Sequence, residues 1–436
     1  MISNPYKNKR INIITLGCAK NIYDSEILKS QLSDNLIQAV HNAEIKKNDV
    51  VVINTCGFIN DAKEESIDSI VYYSEKKKKG EIKELFVIGC LSERYKDELK
   101  NEIPDVNEYF GVYELPEILN RFGVNYKKEL IGQRSIPESG HYSYLKISDG
   151  CDHKCSFCAI PLIKGKHISQ SIEEIIAEAK NLVSKGVKEI ILIGQDTTFY
   201  GLDNYGKRKL ADLMLSLSEI KGLEWLRLQY TYPTNFPQEV LGVIASKSNI
   251  CNYIDIPFQH ISDNMLSKMK RGINKKSTFK LIRKIRSIIP NIKIRSTFIV
   301  GFPGETDEDF DELMDFIREV KFDRLGVFTY SHEEDTPAYK LEDDVTDEIK
   351  AERMNLLMAA QQKISLELNL KEVGKTLKVI IERKEGDNFV GRTEFDTPEV
   401  DNEVLVSSEN ELKIGCFYNV KITDAFEYEL VGEIAD

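Results

Sequence analysis

Short β-branched runs alternate with amphipathic helical patterns through most of the 436 residues, and that rhythm leaves few folds open. INIITL (11–16), DVVVIN (49–54) and ELFVIG (84–89) predict buried strands, with helices expected over 21–33, 61–79 and 92–101. Strands alternating with helices build right-handed βαβ units and a parallel sheet, so residues 1–130 are expected to form a parallel-sheet α/β domain. The polar stretch GQRSIPESGH then interrupts the rhythm. It resumes with YSYLKIS (142–148), EIILIG (189–194), WLRLQY (225–230), NYIDIP (252–257), IKIRSTFIV (292–300) and DRLGVFTY (323–330). Helical patterns such as 171–186 and 307–320 lie between them, and a long charged helix over about 346–371 ends the section. Six βα units in a row predict a barrel or partial barrel over 137–371 rather than an open sheet.

Past Gly374 the character changes. LKVIIER, NFVGRTEF, EVLVSS and FYNVKITDAF are broken at short intervals by Gly, Asp and Asn, which predicts a small antiparallel β-barrel of about five strands over 372–436. Charge singles out the same piece. The chain has 59 Lys+Arg against 71 Asp+Glu, net −12, and its last 67 residues hold 8 basic against 16 acidic side chains, net −8. Nucleic-acid binding is not expected from that balance, and the tail should attract something basic. Its removal is expected to weaken capture of such a partner and leave the chemistry elsewhere intact.

With 42% hydrophobic and 30% charged residues the chain is not disordered. MISNPYKNKR is followed by too short an apolar run for a signal peptide, and no run reaches membrane-span length. A soluble, cytoplasmic protein is expected. In that setting eight cysteines are ligands or reactive thiols rather than a disulfide framework.

Cys151, Cys155 and Cys158 stand in CDHKCSFC directly after a strand, hence on a loop at the C-terminal mouth of the expected barrel. Three thiolates on one short loop hold three corners of a cubane and leave the fourth iron open to a small molecule. The competing reading is a structural zinc site completed by His153 or a distant histidine, but zinc loops favour paired two-residue spacings. Cys18, Cys56 and Cys90 each follow an apolar strand (IITLGC, VVINTC, FVIGC). Parallel strands bring such positions to one sheet edge, so the three are expected to form a second site, with Gly17, Gly57 and Gly89 allowing close backbone approach to a bulky cluster. Cys251 and Cys416 are expected to be structural.

Other candidates sit at strand ends. Phe157 either covers a flat ligand at the iron or packs within its loop. Gln195 or Asp196 of GQDTT reaches toward the mouth, and the helix opened by GFPGET (301–306) offers its N-terminus to a polar or anionic group. His260 in DIPFQH lines the mouth or is a polar loop residue. Arg295 points either into the barrel or into its outer packing.

CDHKCSFC after a strand resembles the radical S-adenosylmethionine signature. With LGCAKN, NTCGF and IGC upstream, and the β-rich end piece downstream, the chain is similar along essentially its whole length to the methylthiotransferases of that superfamily. The resemblance implies an N-terminal cluster domain, a radical barrel and a C-terminal TRAM domain. It also implies S-adenosyl-L-methionine and two [4Fe-4S] clusters, the radical one on Cys151, Cys155 and Cys158 and the auxiliary one on Cys18, Cys56 and Cys90. LGCAKNIYDSE, YLKISDGCDHKCSFC, GQDTTFYG and IPFQH resemble the branch that modifies a ribosomal protein, the RimO type. The tRNA adenosine branch more often has Gln-Asn-Val-Asn at 195–198 and Gln-Ser at 259–260; Ala19 departs from the proline more usual in the RimO type. The implied substrate is an aspartate of ribosomal small-subunit protein twelve, whose β-carbon hydrogens are beyond any general base. One electron from a donor would cleave S-adenosylmethionine to a deoxyadenosyl radical that takes the hydrogen, and the auxiliary cluster would supply the sulfur. A non-catalytic zinc or RNA-binding protein is the reading from another class, and it leaves Cys18, Cys56 and Cys90 unexplained.

Overall fold

A computed structural model describes residues 4–127, 130, 132, 134 and 140–435. The break expected between the first two domains lies largely outside them. The N-terminal sheet is parallel throughout, in the order Gln38–His41, Arg10–Thr15, Asp49–Thr55, Ile82–Gly89, Glu108–Tyr109. Its three inner strands are the ones legible in the sequence. The two edge strands are short and carry too few apolar positions to make a pattern. Asp49–Thr55 is buried at every residue, as a strand covered on both faces must be.

The six central strands fall where the rhythm placed them, at Tyr142–Lys146, Glu189–Ile193, Trp225–Leu228, Tyr253–Asp255, Lys293–Val300 and Arg324–Thr329. They pair in parallel as two three-stranded halves, linked by an isolated bridge between Leu226 and Ile250. The first and last strands each pair with a single neighbour, so the barrel is partial. Along Lys293–Val300 burial alternates: Ile294, Phe298 and Val300 join Ile285, Phe316 and Ile317 of the surrounding helices, and Arg295 and Thr297 turn to the concave side.

A concave sheet must be covered, and two other parts of the chain cover it. The helix Ala19–Asp34 lays Tyr23 and Ile27 against Tyr144, Ile191 and Ile193. The C-terminal piece closes the floor. That piece is a five-stranded closed barrel of Thr376–Glu385, Asn388–Thr393, Glu403–Ser407, Glu429–Ile434 and Phe417–Ala425. Its pairings are antiparallel except Glu403–Ser407 with Glu429–Ile434, which run parallel.

The loop 394–402 of this barrel enters the central floor. Arg227 Nη1 donates to the Glu394 carbonyl at 2.8 Å, Gln229 Nε2 to Thr397 Oγ1 at 2.6 Å, and the Tyr253 hydroxyl to Asp401 at 2.8 Å. Arg324 pairs with Asp396, and Arg295 with Asp255 and Asp401. The last 65 residues are thus tied into the central domain by buried polar contacts through loop 394–402. Part of their acidity also faces the arginines of the barrel itself, which reduces the charge left for a partner. Among the described residues no helix is long and apolar enough to cross a membrane.

Candidate active site

Cys18 is the N-cap residue of Ala19–Asp34, its carbonyl accepting from Asn21 and Ile22. Cys56 follows Asp49–Thr55 and is fixed by Ser66, whose hydroxyl accepts from its N–H at 3.0 Å and donates to its carbonyl at 2.9 Å. Cys90 opens the helix Cys90–Glu102 at the end of Ile82–Gly89. All three thus stand at the carboxyl edge of the sheet. Gly17, at φ +89°, approaches so closely that a Cβ there would lie 2.7 Å from Cys56 Cβ. A Cβ on Gly57 would meet the Leu91 backbone at 2.6 Å. These glycines let one cysteine loop approach the next. Burial, reinforced by the neighbouring thiols, pushes Cys56 up to about 11 and Cys90 up to about 12.

The radical-type loop lies at the C-terminal mouth of the partial barrel. Burial raises Cys151 and Cys158 to about 12, and Cys155 adds to the rise at each. Thiols raised in this way give up their protons readily only to a cation that gathers their charge, so metal uptake would be coupled to proton release. Cys155 Sγ accepts from Arg271 Nη1 at 3.2 Å and lies 3.4 Å from the Tyr232 hydroxyl. His153 stacks on Tyr232, ring centroids 3.6 Å apart, and its Nε2 lies 2.6 Å from Asp196. No group of three His, Cys, Asp or Glu among the described residues is close enough to hold a single metal ion.

An ion network joins the two cysteine sets. Lys146 pairs with Asp24 at 2.6 Å and Asp149 at 3.0 Å, and Lys164 reaches both at 3.5 Å. Asp24 lies on the Cys18 helix, Asp149 precedes Cys151 by two residues, and the charge of Lys164 acts on Cys90. Burial opposes ionisation of Asp149, but Lys146 and Lys164 outweigh it and hold the carboxyl well below its ordinary range. Lys20 Nζ sits 3.1 Å above the ring centroid of Tyr230, a residue with φ 57° at the end of Trp225–Leu228. No periodicity or motif marks Lys146, Lys164, Tyr232 or Arg271; only the fold brings them to the cysteines.

Gln195 donates to Asp149 at 2.9 Å, and its Oε1 is buried with no protein partner among the described residues. Phe157 packs against Met265, Met269, Phe302 and Tyr330. The GFPGET turn does not offer its N–H groups to a ligand. Gly301 N–H is taken by Glu305, Gly304 N–H by Asp344 at 2.6 Å, and Thr306 with Asp309 closes a capping box on Asp307–Val320. His260 is fully buried and does not line the mouth: its Nδ1 accepts from Ser262 N–H, so Nε2 donates to Glu305 at 3.0 Å. Cys251 is buried with Trp225, Tyr253 and Ile380.

Comparison with known proteins places this arrangement. Residues 10–111 match Uncharacterized protein family UPF0004, residues 145–317 the Radical SAM superfamily and residues 373–435 the TRAM domain. The chain is 52% identical to the ribosomal protein uS12 methylthiotransferase RimO of Flavobacterium johnsoniae, covering 100% of both chains. With its counterpart from Bacteroides thetaiotaomicron identity is 51%, over 98% of this chain and 99% of that one. In fold it resembles the radical S-adenosylmethionine methyltransferase TsrM from Kitasatospora setae, with a TM-score of 0.56 at 12% identity over 82% of this chain and 89% of the other. The cobalamin-dependent S-adenosylmethionine radical enzyme OxsB gives 0.51 at 14%, over 82% and 56%. Full-length identity at this level, with all three domain matches in order, decides the matter: the chain belongs to the RimO family of ribosomal protein uS12 methylthiotransferases, within the radical SAM superfamily.

Proposed function

We propose that this chain adds a methylthio group to the β-carbon of an aspartate in ribosomal protein uS12, in three units spanning about 1–130, 137–371 and 372–436. The observation that carries the reading is the pair of three-cysteine sets at the carboxyl ends of two parallel sheets, joined through Asp24, Lys146, Asp149 and Lys164. Cys151, Cys155 and Cys158 would hold one [4Fe-4S] cluster, and Cys18, Cys56 and Cys90 a second. The donor sets fit: each is three thiols, with no disulfide among them, the donor type an iron–sulfur cluster takes. With S-adenosylmethionine bound, such iron–sulfur chemistry removes a hydrogen too weakly acidic for a general base and delivers sulfur and methyl in its place.

The chain's own residues ligate, orient and exclude water. Arg271 and Tyr232 compensate charge at Cys155, and Gln195 presents a free acceptor beside Asp149. Tyr23 and Ile27 seal the concave face against solvent where Ala19–Asp34 crosses it. One-electron cleavage of S-adenosylmethionine also calls for an electron donor.

Anaerobic protein should carry about eight irons per chain if both sets hold four-iron cubanes. Replacing Cys151, Cys155 and Cys158 by Ala should leave half the iron and abolish S-adenosylmethionine cleavage. The same change at Cys18, Cys56 and Cys90 should leave half the iron and retain cleavage. Mass spectrometry of uS12 after turnover should show one methylthio group on an aspartate. Modification of tRNA adenosine with none on uS12 would overturn the substrate, and stoichiometric zinc in place of iron would overturn the chemistry.

A further inference from the structure

In a protein of net charge −12, residues 264–304 carry eleven lysines and arginines and not one aspartate or glutamate. Totals taken over whole domains conceal this stretch. Six of the eleven have work inside the fold. Lys293 and Arg295 face the acids at the barrel floor, and Arg271 faces Cys155. Arg286 caps the carbonyls of Val320 and Lys321, Lys275 pairs with Glu312, and Lys268 donates to the Gly304 carbonyl. The other five, Lys270, Lys276, Lys280, Arg283 and Lys284, are exposed and make no ion pair among the described residues. Lys270, Lys280 and Lys284 line a cleft of about 990 Å³ whose one acid, Asp263, is occupied by the Lys275 N–H at 2.6 Å.

The wall of this cleft is also the back of the cysteine loop. Lys270 and Gly272 line the cleft. Between and beside them, the Met269 carbonyl accepts from Ser156 N–H at 3.0 Å and the Lys268 carbonyl from Ser156 Oγ at 2.7 Å. Arg271 donates to Cys155 Sγ, and its carbonyl accepts from the Tyr232 hydroxyl at 3.1 Å. A molecule seated in the cleft is thus one short segment of chain away from Cys155 without entering the mouth, which the N-terminal domain partly covers.

We infer that this cleft docks the reductant, a small acidic protein carrying a one-electron flavin or iron–sulfur group. The inference rests on the radical chemistry proposed above. In the step itself one electron leaves the reduced carrier, which is oxidised, and is taken up at the iron held by Cys151, Cys155 and Cys158; no bond or proton moves. RNA phosphates would also answer to five unpaired cations, but RNA has no need of nearness to Cys155. The coincidence of basic cleft and thiol loop favours the carrier.

The test uses the full chain with its iron and a purified acidic flavodoxin. Lys270→Glu, Lys280→Glu and Lys284→Glu together should weaken flavodoxin binding, read by calorimetry, at least about tenfold, and should flatten its salt dependence. Flavodoxin-driven cleavage of S-adenosylmethionine should fall about as far, with dithionite-driven cleavage unchanged. The Lys→Ala set, with its thermal midpoint checked, repeats the test without charge reversal and should show a smaller loss in the same direction. Unchanged flavodoxin affinity in both sets overturns the inference. So does loss of binding to a small-subunit rRNA fragment with flavodoxin binding intact, which would make the face a nucleic-acid surface. If wild-type protein cleaves nothing even with dithionite, the proposed function has failed, and the binding measurement still judges the cleft.

Discussion

Arg271 donates from Nη1 to Cys155 Sγ across 3.2 Å, and its guanidinium lies 4.3 Å from the centroid of the Tyr232 ring, buried away from solvent. A fixed cation against one thiolate of an iron site favours the more negative, reduced state, so it raises the reduction potential. Arg271→Met should keep the iron and shift the midpoint of that site downward by on the order of 60 mV, about tenfold for a one-electron couple. Arg271→Lys, which keeps the charge but loses the planar fork, should fall between. A redox titration followed by electron paramagnetic resonance reads the shift. An unmoved midpoint with full iron would reduce Arg271 to packing.

The floor of the barrel offers a second test, on folding rather than chemistry. Glu189 is fully buried and accepts from Arg227 Nε at 2.7 Å and from Arg392 Nη2 at 2.6 Å, one arginine from each of two domains. Glu189→Gln leaves two buried guanidinium groups facing a neutral amide. Breaking a buried pair from one side costs about 3–5 kcal/mol. Urea unfolding should show a loss of that size, with the C-terminal barrel and the partial barrel unfolding together in the wild type. A change below about 1 kcal/mol would mean that the Glu189 contacts with Arg227 and Arg392 contribute little to holding the two domains together.

What the sequence made legible was periodic or covalently local. The inner strands of both sheets announce themselves because strands buried on both faces are continuous β-branched runs, as DVVVIN is. CDHKCSFC is legible because its three thiols lie within eight residues. The Cys18, Cys56 and Cys90 set is legible only through topology, each thiol being tied to the end of a strand of known direction. The remainder depends on distant contacts. Nothing near Lys146 foretells Asp24, 122 residues away, and nothing near Arg227 foretells the Glu394 carbonyl, 167 residues on. The charge of the C-terminal piece is likewise only partly legible: Asp396 and Asp401 are acids in composition, but in the fold they are partners of Arg324 and Arg295 of the barrel.

The junction between the Cys18 helix and the barrel should respond to pH. Arg134 donates to both Glu26, on that helix, and Glu178, on Ile172–Ser184, and all three side chains are buried. One guanidinium does not neutralise two buried carboxylates. Burial raises Glu26 to about 7 despite the arginine, with Glu178 adding to the rise. The folded value lies above the ordinary carboxylate value of about 4.3, so between the two the native state holds a proton that the unfolded chain has lost. The stability this proton contributes is complete below about pH 4 and disappears as pH rises through about 7, at a slope of at most about 1.4 kcal/mol per pH unit. Thermal unfolding should therefore show a midpoint that drops between pH 5.5 and 7.5, with Glu26→Gln flattening that drop because an amide keeps the acceptor and has no proton to lose. If wild type and variant fall in parallel across that window, Glu26 is ionised throughout and the junction holds two carboxylates against one arginine.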